Sequence, residues 1–129
     1  MKFLLDTHIL LGVLSQSDHD LPTWVYDCLT RPSAISVVSV ASLWEITIKA
    51  RTGKLRLTLD RFTLDQSISA FGIEILPITA QHALADLAVL PSTRDPFDLM
   101  LLAVAQVEGL RLLTLDRALV DHPSSWRPA

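Results

Sequence analysis

A chain of 129 residues with a single cysteine and a formal net charge of −3 fits one domain, 1–129, burying roughly two-thirds of the surface its unfolded form exposes. Cys28 has no partner for an internal disulfide and no Cys/His spacing matches a zinc site, so oxidising export and structural zinc are unsupported and a cytoplasmic location is expected. Half of the residues are apolar, which points to a sheet covered on both faces and to an oligomeric surface, not to a membrane span: outside the N-terminus the longest apolar run, Leu99 to Ala105, is far short of the roughly 20 residues a bilayer requires.

The first stretch, KFLLDTH at Lys2 to His8, reads as a buried strand over Phe3–Asp6. Asp6 and His8 interrupt its apolar run, unlike a signal peptide. Thr7 is placed to cap a helix reaching about Ser15, and 17–20 is a polar connection. Pro22 suits the opening of a short helix over Trp24–Leu29, which ends before Pro32. Ala34–Val38 is a strand by its β-branched content, Ser39 caps a long helix over Val40–Thr52, and Gly53 stops it. Lys54–Leu59 alternates charged and apolar residues as an extended edge or loop. A helix capped by Asp60 closes near Gly72, followed by a third strand over Ile73–Leu76.

Thr79 caps a helix through about Leu87, Leu90–Arg94 is a connection marked by Pro91, and Asp95-Pro96 opens a helix running to Glu108 and stopping at Gly109. Arg111–Leu115 is the last strand, with a helical turn over Asp116–Val120 and an irregular tail whose Trp126 tucks back against the body. Strands alternating with helices over short connections predict an α/β fold with a central parallel sheet and helices on both faces.

Four carboxylates stand out against this frame. Asp6 and Asp116 end strands of similar type, FLLD and LLTLD, and in a parallel sheet both carboxyl ends face one edge, where ligand crevices form. Either could instead be a turn former or cap. Glu45 sits in an otherwise apolar helix, with small residues Ala41 and Ser42 opening a pocket beside it. A surface pair with Lys49 at i+4 is the bland alternative, worth only about 0.2–0.5 kcal/mol, too little to account for an acid in such a segment. Asp95 is explained as an N-cap with Pro96 at the first helical position, which leaves Asp98, at the mouth of the same apolar helix, in need of a partner.

Carboxylates brought together raise one another's pKa unless a cation neutralises them. Hard oxygen donors without Cys or His point to Mg²⁺ or Mn²⁺, and to metal-assisted hydrolysis at phosphorus. Net charge offers no global attraction for nucleic acid, but Lys49, Arg51, Lys54, Arg56 and Arg61 cluster, either as a local backbone-binding patch or as a solvated face. His8, His19, His82 and His122 are scattered and read as structural or surface residues.

Four blocks in order, LLDTHILL at Leu4 to Leu11, SLWEITIKARTGKL at Ser42 to Leu55, RDPFDLMLLAVAQ at Arg94 to Gln106 and LLTLD at Leu112 to Asp116, resemble the PIN-domain ribonucleases, specifically the VapC-type toxins of bacterial toxin–antitoxin pairs. The resemblance implies a PIN-like three-layer α/β/α sandwich, Mg²⁺- or Mn²⁺-dependent RNA cleavage, a homodimer, and a VapB-type antitoxin whose tail occupies the active site. It matches the family's acidic positions to Asp6, Glu45, Asp98 and Asp116, as catalytic residues and metal ligands. Thr7 and Thr114 match polar positions that orient water or carboxylates or meet substrate, and Lys49, Arg94 and the Lys54/Arg56 segment are candidates for holding the RNA backbone. Two positions depart from the pattern: relatives often carry an aromatic residue where Gly12 stands and a basic one where Leu99 stands.

Three other readings remain: a PIN scaffold without nuclease activity, a Mg²⁺-binding phosphoacceptor domain of receiver type, and a phosphatase with an Asp nucleophile. The receiver pattern wants paired acids after the first strand and a lysine after the last, whereas Thr7 and His8 follow Asp6 and no lysine follows Lys54. His8 also stands where the phosphatase needs its second acid.

Overall fold

The computed structural model of the protein describes residues 1–15 and 21–128. The connection expected over 17–20, with His19, lies outside them. In chain order the elements are β1 (Lys2–Leu5), α1 (Thr7–Val13), α2 (Thr23–Leu29), β2 (Ile35–Ser39), α3 (Val40–Arg51), α4 (Leu64–Ala70), β3 (Glu74–Leu76), α5 (Ala80–Leu84), α6 (Pro96–Glu108) and β4 (Arg111–Leu113), with a single 3₁₀ turn at Arg61–Thr63 before α4.

All strand pairings are parallel and the spatial order is β3-β2-β1-β4. Leu4 stands opposite Val37 on one side and Leu112 on the other, so β1 is central. The order reverses between β1 and β4, and an open parallel sheet leaves a crevice outside the strand ends at such a reversal. Asp6 follows β1 directly and Asp116 lies three residues beyond β4. A receiver-type sheet runs 2-1-3-4-5, so the observed order separates this chain from that class.

Alternation along β1 builds two cores. Phe3 and Leu5 pack with Ile9, Leu10, Val25 and Ile68 on one face, while Leu4, Val37 and Leu112 pack with Leu101, Leu102 and Leu119 on the other. With both faces covered, the strands read as continuous apolar runs. The tail closes the β4 edge: Leu112 N–H donates to the Ser124 carbonyl at 2.8 Å and Trp126 N–H to the Leu112 carbonyl at 2.9 Å. Trp126 meets Phe3 edge-on and stacks on Trp24, each with ring centroids 5.8 Å apart, as its expected tucking required.

Several boundaries differ from expectation for local reasons. Asp6, not Thr7, caps α1, its Oδ1 accepting the Thr7 N–H at 2.7 Å. The helix after Thr79 ends at Leu84, not Leu87, because Gln106 on α6 takes over the following backbone, accepting from Ala88 N–H at 2.9 Å and donating to the Asp86 carbonyl at 2.8 Å. Strand β4 stops at Leu113, not Leu115, because the Leu115 N–H leaves the ladder for a side chain, His8.

Candidate active site

Burial makes Asp6 the most demanding residue of the crevice. It is 4% exposed, and each oxygen is held separately: Oδ1 accepts from Thr7 N–H and Oδ2 from the Thr114 hydroxyl, both at 2.7 Å. Burial pushes its pKa up, against the opposing pull of His8 and those two hydrogen bonds, and Glu45 adds a smaller upward push. Thr114 in turn accepts from Asp116 N–H at 3.0 Å, so one hydroxyl ties the ends of β1 and β4 together. Asp116 then caps the following turn, accepting from Ala118 N–H at 2.9 Å through Oδ1.

The opposite wall comes from α3. Glu45 is 8% exposed. Its Oε1 stands 2.6 Å from the Thr7 hydroxyl, which also lies 2.9 Å from the Ser42 hydroxyl. A carboxylate can only accept, so Thr7 gives its one proton to Glu45 and takes one from Ser42. Glu45 Oε2 accepts from Lys49 Nζ at 2.6 Å. The i,i+4 pair set aside at the level of sequence does form, but with a buried acid and a half-exposed lysine. The hydrogen bond to Glu45 is the largest cause raising the Lys49 pKa, and Asp95 and Asp6 push the same way.

At the N-terminus of α6, Asp95 caps through Oδ1 to Phe97 N–H at 2.9 Å, which leaves Asp98 free of that duty. Asp98 Oδ2 accepts from the Thr93 hydroxyl at 3.1 Å. Burial raises its pKa to about 6 against the Thr93 bond, helped by the negative charges of Asp95, Asp6 and Asp116.

These groups line one cleft of about 280 Å³: Asp6, Glu45, Asp95, Asp98 and Asp116 supply five carboxylates, Lys49 and Lys54 two ammonium groups, and Leu11, Ile46 and Leu55 an apolar lining. The four acids singled out in the sequence are thus brought together from four separate segments. Thr7 and Thr114 are buried, with their hydroxyls donating to the carboxylates of Glu45 and Asp6. Arg94 is exposed and stands outside the cleft lining.

Sequence reasoning passed over His8, which also lines the cleft. Its Nε2 accepts from Leu115 N–H at 2.9 Å, so a neutral ring carries its proton on Nδ1, 3.6 Å from Asp6 Oδ2. Its place two residues after Asp6, in the first helical turn at the strand edge, was the available signal. His82, by contrast, is a core residue, bonded to Thr79 N–H and Glu108.

The chemistry of the donors suits a hard divalent cation: they are oxygens, acids outnumber cations, and burial, helped by neighbouring negative charge, raises the Asp98 pKa to about 6. Among the described residues no three acidic or imidazole side chains stand close enough together to hold a metal ion as placed.

A family model, PIN domain, matches residues 3–123; the chain belongs to the PIN-domain family. No curated protein matches the sequence. Among solved structures, a chain of a toxin–antitoxin complex from Klebsiella pneumoniae is similar at 18% identity and TM-score 0.61, over 98% of this chain and 97% of that one. A chain of VapBC2 from Rickettsia felis, solved bound to a DNA fragment from their promoter, is similar at 17% identity and TM-score 0.62, over 97% and 96%. At such identities the likeness establishes a shared fold along nearly the whole chain.

Proposed function

We propose that this chain is a Mg²⁺- or Mn²⁺-dependent endoribonuclease, the VapC-type toxin of a toxin–antitoxin pair. The observation that carries the reading is the convergence of Asp6, Glu45, Asp98 and Asp116 at the reversal of strand order, in a cleft whose acids are short of positive charge. Membership of the PIN-domain family supports it. Asp6, Asp98 and Asp116, faced by Glu45, are the residues that would hold the ion. Bound there, a divalent ion supplies Lewis acidity at phosphorus and lowers the pKa of water.

The protein's own groups do the rest. Thr114 and the Thr7 N–H fix the Asp6 carboxylate so that its lone pairs point one way, and Thr114 places Asp116 relative to it. Lys54 at the rim, with Arg56 nearby in sequence, gives the phosphate backbone a positive track on an otherwise acidic protein. Water attacks phosphorus, the P–O ester bond breaks, and the leaving oxygen takes up a proton.

The structures it resembles are toxin–antitoxin complexes, and on that likeness we assign this chain a VapB-type antitoxin and a cytoplasmic site of action. Exposed Trp44, Phe62, Phe71, Leu84 and Leu90 offer apolar surface suited to that partner and to a homodimer. Among the described residues no helix is long and apolar enough to cross a membrane. Incubation of purified protein with single-stranded RNA tests the activity: cleavage with Mg²⁺ or Mn²⁺ that chelator abolishes is expected, and no cleavage with either ion overturns the reading.

A further inference from the structure

The segment that follows α3 carries a second groove, of about 370 Å³, a volume in the range of small-ligand clefts. Leu55, Leu57 and Leu59 form its apolar wall, and Arg61 and Phe62 of the 3₁₀ turn stand at its far side. Leu55 lines this groove and the acidic cleft alike, so the two adjoin through one side chain. The backbone there is anchored: the N–H groups of Lys54 and Leu55 both donate to the Lys49 carbonyl, at 2.9 and 3.1 Å, and the three leucines pack against the core.

Asp60, the one acid of the groove, is committed to the turn, its Oδ1 accepting the Phe62 N–H at 2.9 Å. The turn leaves Phe62 79% exposed, more than any other aromatic side chain among the described residues. The Arg61 guanidinium lies over that ring, with Cζ 4.8 Å from its centroid. Positive charge follows the same path. Lys54 lines the cleft, Arg61 lines the groove, and exposed Arg56 lies between them in sequence. Among the described residues none of the three pairs with a carboxylate. A protein helix seated here would desolvate those cations without neutralising them. A nucleic-acid strand neutralises them with phosphates and offers Phe62 the flat face of a base.

We propose that this groove is a base-binding subsite: it takes an unpaired nucleobase of an RNA strand, stacked on Phe62, while Lys54, Arg56 and Arg61 hold the adjoining phosphates and the strand runs past Leu55 into the cleft. This deepens, and rests on, the ribonuclease reading above. The base must be unpaired, because in an A-form helix its faces stay stacked on their neighbours. Phe62 touches no reacting atom, so the subsite governs which RNA is held and not the chemistry at phosphorus.

Fluorescence anisotropy of a fluorescein-labelled oligouridylate, titrated with the full-length protein in low salt and chelator, reads binding without cleavage. Phe62→Ala is expected to weaken binding about 10-fold and to leave the salt dependence of Kd unchanged, since no charge is lost. Phe62→Trp is expected to bind like the parent and Phe62→Leu like Phe62→Ala. Exchanging the oligouridylate for an abasic strand of the same length is expected to cost the parent about 10-fold more than it costs Phe62→Ala, which assigns the loss to a base. Circular dichroism confirms that each variant is folded. Parental affinity in Phe62→Ala or Phe62→Leu, an equal abasic penalty in parent and Phe62→Ala, or equal binding of duplex RNA by the parent each overturns the subsite and leaves the nuclease reading intact. If Phe62→Ala keeps its RNA affinity but loses a homodimer in light scattering, the groove is a protein contact instead. No binding by the parent overturns the subsite, and absence of cleavage in Mn²⁺ as well overturns the ribonuclease reading with it.

Discussion

Asp98 shows how one side chain's environment becomes a measurable property of the protein. Its carboxyl ionises at an ordinary 3.8 outside the fold and at about 6 within it. Between those values the folded state holds a proton that the unfolded chain has lost, so stability falls as pH rises through that window, and above about 6 the penalty is complete. An ion that binds only the folded, ionised site opposes that loss. Mg²⁺ is therefore expected to raise Tm more at about pH 7.5 than at about pH 5, read by scanning calorimetry; equal rises at both would detach Asp98 from the ion. Thr7 offers a second test. Thr7→Val removes the donor to buried Glu45 Oε1, and the orphaned oxygen is expected to cost about 1–3 kcal/mol in urea unfolding; an unchanged midpoint would mean that Glu45 finds another donor.

The residues of the site were legible in the sequence to different degrees. Asp6, Asp98 and Asp116 announced themselves as acids at the ends of apolar runs, a placement that physical chemistry penalises without a partner. The Glu45–Lys49 pair was visible as a spacing but judged too weak, because surface helix pairs are the usual reference, whereas here the crevice buries one partner. His8 was hidden because its role depends on the backbone of Leu115, more than a hundred residues away in sequence.

At the scale of elements, caps carried the registration. Asp95, Ser39, Asp60 and Thr79 each accept a backbone N–H at a helix or turn start, as their sequence positions implied. Asp95→Ala is expected to cost about 1 kcal/mol of stability and to reduce cleavage far less than loss of Asp98, which would be measured by unfolding and RNA cleavage on the same samples. Where boundaries were overrun, at Ala85 to Leu87 and at Thr114 to Leu115, side chains from distant elements had captured the backbone, information that no local pattern contains.

Gly12 illustrates the same limit. Its sequence position gave no sign of its packing: the Leu21 side chain lies 2.7 Å from where a Cβ would stand. Gly12→Ala should therefore forgo the ordinary helix gain of about 1 kcal/mol, since overpacking costs about 1–3 kcal/mol. A raised Tm in thermal unfolding would contradict that packing.

For the whole molecule, the decisive feature is a sheet order that reverses beside its central strand and so gathers acids from the chain's beginning, middle and end into one crevice. The alternation of strands and helices made the parallel sheet and its two covered faces readable in the sequence, but the order of strands was not, because nothing local distinguishes a strand added on the left from one added on the right. The apolar surplus that first suggested association is present as exposed Leu84, Leu90, Phe62 and Phe71. Light scattering is expected to give about twice the chain mass of 14.3 kDa; a monomer throughout would remove the homodimer from the proposal.

The central claim is that the gathered carboxylates make the chain a metal-dependent ribonuclease. The most direct measurement compares single-turnover RNA cleavage in Mn²⁺ by the parent, Asp6→Asn and Asp98→Asn, each verified as folded. Each substitution is expected to slow cleavage by at least about 100-fold, the upper end of what losing a merely supporting partner of a metal site costs. Cleavage by either variant at the parental rate would contradict the claim.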